Sequence, residues 1–233
     1  MDTTGMQISR LATVITTPEP LRYPLPPIDD VPAKLRVVEV LDRKPPDNFW
    51  YMGGLNYTFI SAGRRAAPLI FVIAGTGAGH DGSSTLTLAR AFHQAGMHVI
   101  TMSSPTYSNF IVSASSNGVP GLPDDDSVDL YRAMQAAYER EKKRIKVSEF
   151  YVTGYSLGGA EAAFVSKLDE ERGSFNFKKV LAINPPVSLY SSAKILDEML
   201  LAALPGGLQD WNLWFKGLLE AFGEFYKTMG RVD

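Results

Sequence analysis

The chain contains no cysteine. That removes disulfide scaffolds, cysteine-ligated zinc, iron–sulfur clusters and a thiol nucleophile. Histidine is scarce as well: His80, His93 and His98 are the three in 233 residues. Neither sign of charge is in excess, with 23 Lys and Arg against 25 Asp and Glu. A surface built for nucleic acid or an anionic membrane would need a basic surplus. No apolar run approaches the roughly 20 residues that span a bilayer. The first ten residues lack a charged stretch followed by an apolar one, so the chain as written reads without a signal peptide unless one has been removed, and no compartment is assigned. What is present, 45% hydrophobic and 21% charged residues, is the make-up of a folded chain. The length suits one domain or one and a half.

Residues 1–33 read as an extended arm, because six prolines fall there, each fixing φ and lacking a donor. Lys34–Leu41 reads as a strand. Asn48–Met52 and Leu55–Ile60, separated by Gly53-Gly54, read as a β-hairpin. The continuous apolar run Pro68–Ala74 suits a parallel strand buried on both faces. A helical stripe over Asp81–Ala95 follows, then a second buried strand at Met97–Met102. A long polar loop leads to Asp124-Asp125-Asp126, which open a helix running to about Ile145. Glu149–Thr153 is a strand, Gly158–Leu168 a helix and Lys179–Asn184 a strand. Strands alternating with helices specify an α/β fold with a mainly parallel sheet. After Asn184 the alternation stops, and Ser191–Leu204 and Leu208–Lys227 both read as helices, the second heavily apolar.

Two glycine clusters carry the chemistry. Gly154-Tyr155-Ser156-Leu157-Gly158 is a G-x-S-x-G between a strand and a helix. A serine on so tight a turn holds its Oγ clear of the backbone, and the flanking glycines admit strand and helix without a Cβ clash. The following helix aims free N–H groups and partial positive charge at the site, so the Leu157 N–H would be an oxyanion donor. By chance about one chain in ten of this length carries such a match, and the strand-helix context lowers that several-fold. The other cluster is Gly75-Thr76-Gly77-Ala78-Gly79-His80-Asp81-Gly82, directly after the buried strand. A dinucleotide fingerprint there would want an acid at the end of the next strand, where Thr101-Met102-Ser103-Ser104 stand. A phosphate loop would want lysine near Gly82, where Ser83 and Ser84 stand. An oxyanion loop, facing the serine across adjacent strand ends, accounts for both clusters together.

On these motifs the chain resembles the α/β-hydrolase superfamily, over about Leu35 to Asn184. The resemblance implies a serine esterase- or lipase-like enzyme: Ser156 as nucleophile, the N–H groups of Leu157 and of Thr76 or Gly77 as oxyanion hole, and an acyl-serine intermediate. It implies a core over residues 34–190 and a helical lid- or cap-like segment over 191–233. The substrate would be a small-molecule or lipid-like ester, with no cofactor and no metal. The apolar helix over 208–227 would favour self-association.

The family's acid and histidine follow its serine in the chain, yet no histidine follows Ser156. The 49 residues after Asn184 are taken up by two helices, whereas two more strand–helix units would need roughly 45 residues beyond them. The core is therefore expected to be incomplete, the chain being a piece of a longer hydrolase and inactive as written. Two other accounts stay open: a non-catalytic binding or interaction protein on the same fold, or a base supplied by His80, whose plain alternative is a solvated loop histidine. A nucleotide-binding α/β domain is the remaining alternative. His93 and His98 read as structural. Asp124-Asp125-Asp126 reads as a helix start before a metal site. Asn184 stands where some hydrolases place the acid but cannot ionise.

Overall fold

The computed structural model describes residues 25–27, 30–204 and 206–229. Most of the expected arm over 1–33 lies outside the described residues. The elements are β1 (Ala33–Val38), β2 (Leu55–Ile60), β3 (Ala66–Ile73), α1 (Ser83–Gln94), β4 (His98–Met102), α2 (Ser108–Ser113), α3 (Pro123–Glu141), β5 (Lys146–Tyr155), α4 (Leu157–Arg172), β6 (Lys179–Ile183), α5 (Leu189–Ala202) and α6 (Trp211–Met229). Short 3-10 turns cover Asp47–Phe49 and Gly207–Asp210.

The six strands form one sheet in the order β1-β2-β4-β3-β5-β6. β1 with β2 and β2 with β4 run antiparallel; β4, β3, β5 and β6 are parallel. β3 lies centrally, and its residues Leu69–Ile73 are buried, as a strand covered on both faces must be. Its side chains divide by the two-residue period. Phe71 and Ile73 pack with Leu130, Met134, Ala162 and Val165 of α3 and α4. Ile70 and Val72 pack with Ala89, Leu88 and Phe92 of α1. One face thus carries α3 and α4 and the other carries α1. β3 and β5 end together, Ile73 pairing with Gly154, which brings the two glycine clusters to one end of the sheet.

The N-terminal antiparallel pair is present, but its strands are β1 and β2, not Asn48–Met52 and Leu55–Ile60. Asp47–Phe49 is a 3-10 turn entered from Pro46, and Trp50 and Tyr51 are exposed. Neither Gly53 nor Gly54 takes a positive φ, so the two-residue turn does not form. Gly54 serves close approach instead: a Cβ there would stand 2.6 Å from Val37 Cγ1. α2, within the expected polar loop, is held by its own Asn109, whose Nδ2 donates to Gly54 O and whose Oδ1 accepts from Asn56 N, both at 2.9 Å. α3 stops at Glu141, whose buried carboxylate accepts from Tyr57 Oη and pairs with Arg36 and Arg144.

Candidate active site

One residue separates β5 from α4, and it is Ser156, at φ 56° and ψ −126°. A non-glycine residue holds such a backbone only where its surroundings over-determine it. Here they do. The Ser156 N–H donates to Ile183 O at 3.0 Å, and its carbonyl accepts from Gly159 N at 2.9 Å. A Cβ on Gly154 would stand 2.1 Å from Gly158 O, and one on Gly158 would stand 2.2 Å from Ile73 O. Glycine at both positions lets the turn close against β3. Among the described residues the Ser156 Oγ makes no hydrogen bond. Leu157 opens α4, so its N–H has no acceptor within the helix.

The loop after β3 lies beside this turn. A Cβ on Gly75 would be 3.1 Å from Tyr155 O and 3.5 Å from Ser156 Cβ. The two candidate loop donors differ. Gly77 N–H donates to Thr106 Oγ1 at 2.7 Å, and that hydroxyl also bonds Ser104 Oγ at 2.8 Å. Thr76 N–H has no acceptor among the described residues. Thr76, Tyr155 and Ser156 line one cavity of about 240 Å³ together with Ser83 and Ser84; Gly77 and His80 are not in its walls. Ser103 and Ser104, where a nucleotide-binding loop would want an acid, are buried.

The histidines are engaged elsewhere. His80 is buried, not solvated. Its Nδ1 lies 2.8 Å from Thr58 Oγ1, and its backbone N–H donates to Ser103 Oγ at 2.9 Å. Burial pushes its pKa below the ordinary histidine value, with Asp81 opposing. His93 Nε2 lies 3.3 Å from Ser61 O. His98 is fully buried at the start of β4, at the sheet end opposite Ser156, and its Nδ1 accepts from Ala62 N. Burial lowers its pKa as well. Among the described residues no cluster of metal-ligating side chains occurs. Asp126 accepts from Gly121 N at 2.7 Å and Asp125 from Asn117 Nδ2 at 3.0 Å, so both carboxylates are engaged with the loop before α3, whose N-cap position, Leu122, makes no side-chain cap bond. Asn184 follows β6 at φ 48°.

A second cavity, of about 330 Å³, reaches the serine turn at Leu157. Leu157, Ala160, Glu161 and Phe164 line it from α4, Gly121 and Pro123 from the start of α3, and Pro186, Val187 and Leu189 from the lead into α5. The sequence reading missed it. The signal was there: positions i, i+3, i+4 and i+7 of α4 share one helix face, and a glutamate interrupts that face.

No protein-family model and no curated protein sequence matches the chain. Solved structures do. An esterase of Pyrococcus furiosus matches with a TM-score of 0.55 at 15% identity, over 85% of this chain and 67% of that one. A thermostable esterase of Pseudomonas putida matches with a TM-score of 0.50 at 16% identity, over 80% of this chain and 51% of that one. The chain spans about half the length of the Pseudomonas enzyme. At such identity the likeness is one of fold, and the fold is that of the α/β-hydrolases.

Proposed function

We propose that this chain carries the nucleophile of a serine ester hydrolase, with Ser156 attacking the ester carbonyl. The observation behind the reading is the backbone of Ser156 itself: a positive φ, both backbone polar groups pinned, and an Oγ bonded to nothing among the described residues. Strain of this kind persists where it aims a side chain at a reacting atom. Oγ would add to the carbonyl carbon, the ester C–O bond would break with departure of the alcohol, and water would then release the acid from the acyl-serine. The developing oxyanion would sit between Leu157 N–H and Thr76 N–H, since Gly77 has given its N–H to Thr106. The esterase neighbours support small-molecule esters as the substrate class. The helical segment from α5 to α6, rich in exposed Ile195, Leu196, Met199 and Leu218, is assigned the role of a lid over an apolar group.

Attack needs a base for the Oγ proton. His80 would serve only after leaving Thr58, which supports the second reading, a binding protein on a hydrolase fold. A fluorophosphonate probe on the full chain separates the two. Labelling that disappears in Ser156→Ala supports an activated serine. A folded chain that takes no label overturns the enzyme reading for this chain and leaves the binding one.

A further inference from the structure

The chemistry proposed for Ser156 makes no use of Glu161. This carboxyl is 2% exposed, and its Oε2 is buried without a hydrogen-bond partner. Buried polar groups are nearly always paired, and one left bare raises the free energy of the fold. Glu161 is one of the walls of the second cavity, and every other side chain there is apolar. The charged group that acts on it is another carboxylate, Asp126 of α3. Asp126 has its own donor, the Gly121 N–H. Neither acid forms an ion pair among the described residues; the nearest arginine along α3, Arg132, is on Asp129 at 3.3 Å.

A buried acid without a counter-ion, Glu161, therefore lines an apolar cavity of about 330 Å³, and the second buried acid, Asp126, acts on it from outside the cavity wall. A neutral hydroxyl or carbonyl entering it could meet one oxygen of Glu161. It would leave the repulsion between the two acids as it is. A cation would relieve both at once, and in a low-dielectric wall that attraction is strong. We propose that this cavity binds an alkylammonium group, its nitrogen on Glu161 and its hydrocarbon against Leu157, Phe164, Val187 and Leu189. Naming that group as part of a substrate rests on the hydrolase reading; its binding does not, because binding needs no attack by Ser156.

The test is isothermal titration of the full chain with n-hexylammonium chloride, hexan-1-ol and sodium hexanoate between pH 6 and 9. The ammonium ion keeps its proton over this range, as a lysine would. Burial and Asp126 raise the pKa of Glu161 to about 8, so the free cavity holds a neutral acid at pH 6 and a carboxylate at pH 9. The cavity walls from the β6–α5 connection, Pro186 and Val187, and from the start of α5, Leu189, bring no titratable side chain, and Asp126 is the one on α3 that acts on Glu161. Hexylammonium is expected to bind at least tenfold more tightly than hexanol at pH 9. Its affinity should rise with pH and level off above about 8, and hexanoate should bind worst. Glu161→Gln should erase the advantage over hexanol. Equal affinity for amine and alcohol, a flat pH profile, no binding of any of the three, or an advantage that survives Glu161→Gln would each overturn the proposal. Should Glu161→Gln fail to fold, the wild-type pH profile decides. Hexylammonium binding by a chain that takes no fluorophosphonate would keep this site and discard the hydrolase.

Discussion

A serine at φ 56° costs on the order of 1–3 kcal/mol of backbone strain. Glycine has no such penalty. Ser156→Gly is therefore expected to stabilise the chain by about 1 kcal/mol in urea unfolding, with any fluorophosphonate labelling lost. Gly158→Ala should do the reverse. Its Cβ would meet Ile73 O at 2.2 Å and Ala74 O at 2.5 Å, and the backbone of a central strand has no room to yield. A loss of about 3 kcal/mol or more is expected; an unchanged urea midpoint would refute the close approach. Glu161 sets a pH dependence. Its folded pKa lies near 8, above the ordinary carboxylate value, so the folded chain holds a proton that the unfolded chain releases. Its contribution to stability is complete below about pH 4.5 and is lost as pH rises through about 8. Burial raises the Asp126 pKa too, with the same sign. Thermal melts from pH 5 to 9 should show the decline, and Glu161→Gln should flatten it. The strand-to-helix turn at Ser156 was legible in sequence because a G-x-S-x-G turn is a local steric arrangement. The partner of Glu161 was not, because Asp126 belongs to another helix.

At the scale of elements, the end of α4 is fastened by one buried carboxylate. Asp169 accepts from Tyr131 Oη at 2.5 Å, and from Phe175 N and Phe177 N at 3.0 Å each. These bonds fold the chain leaving α4 back toward β6 and seat Phe175 against Phe71, Tyr131 and Phe150. Asp169→Ala would leave two backbone N–H groups and a hydroxyl without acceptors. A loss of about 3 kcal/mol is expected by chemical denaturation; a loss under about 1 kcal/mol would show that water replaces the carboxylate. Helix and strand periods made β3, α1, β4, α3, β5, α4 and β6 readable within a few residues. The first arm of the expected hairpin failed because aromatic residues beside Gly-Gly look like a strand locally. What they lack is a strand to pair with: β1 takes the edge of β2 first. α2 was invisible because it is a single short helix whose stability comes from Asn109 bridging to β2.

At the scale of the molecule, the sheet is covered unevenly. Among the described residues α1 is the helix packed on its face, and an apolar groove lined by Ile70, Phe92, Met97, Tyr151 and Leu181 lies open beside it. α5 buries none of its residues, and α6 exposes Leu213, Leu218 and Leu219. Exposed apolar area of this kind drives association. Sedimentation at rising concentration is expected to show a growing apparent mass, reduced by Leu218→Glu with Leu219→Glu; a monomer at every concentration would contradict it. The order of strands and helices from β3 onward apart from α2, the end of the sheet where the two glycine clusters meet and the turn that presents Ser156 followed from the sequence by itself. Each depends on spacing within a few residues: a period of two or 3.6, or a glycine where a Cβ cannot fit. Tertiary structure alone decided which N–H groups stay free beside Ser156, that His80 turns to Thr58, and that Glu161 shares its burial with Asp126. Those outcomes depend on contacts between residues far apart in the chain, and no local pattern encodes which of several polar partners a folded backbone will bring within reach.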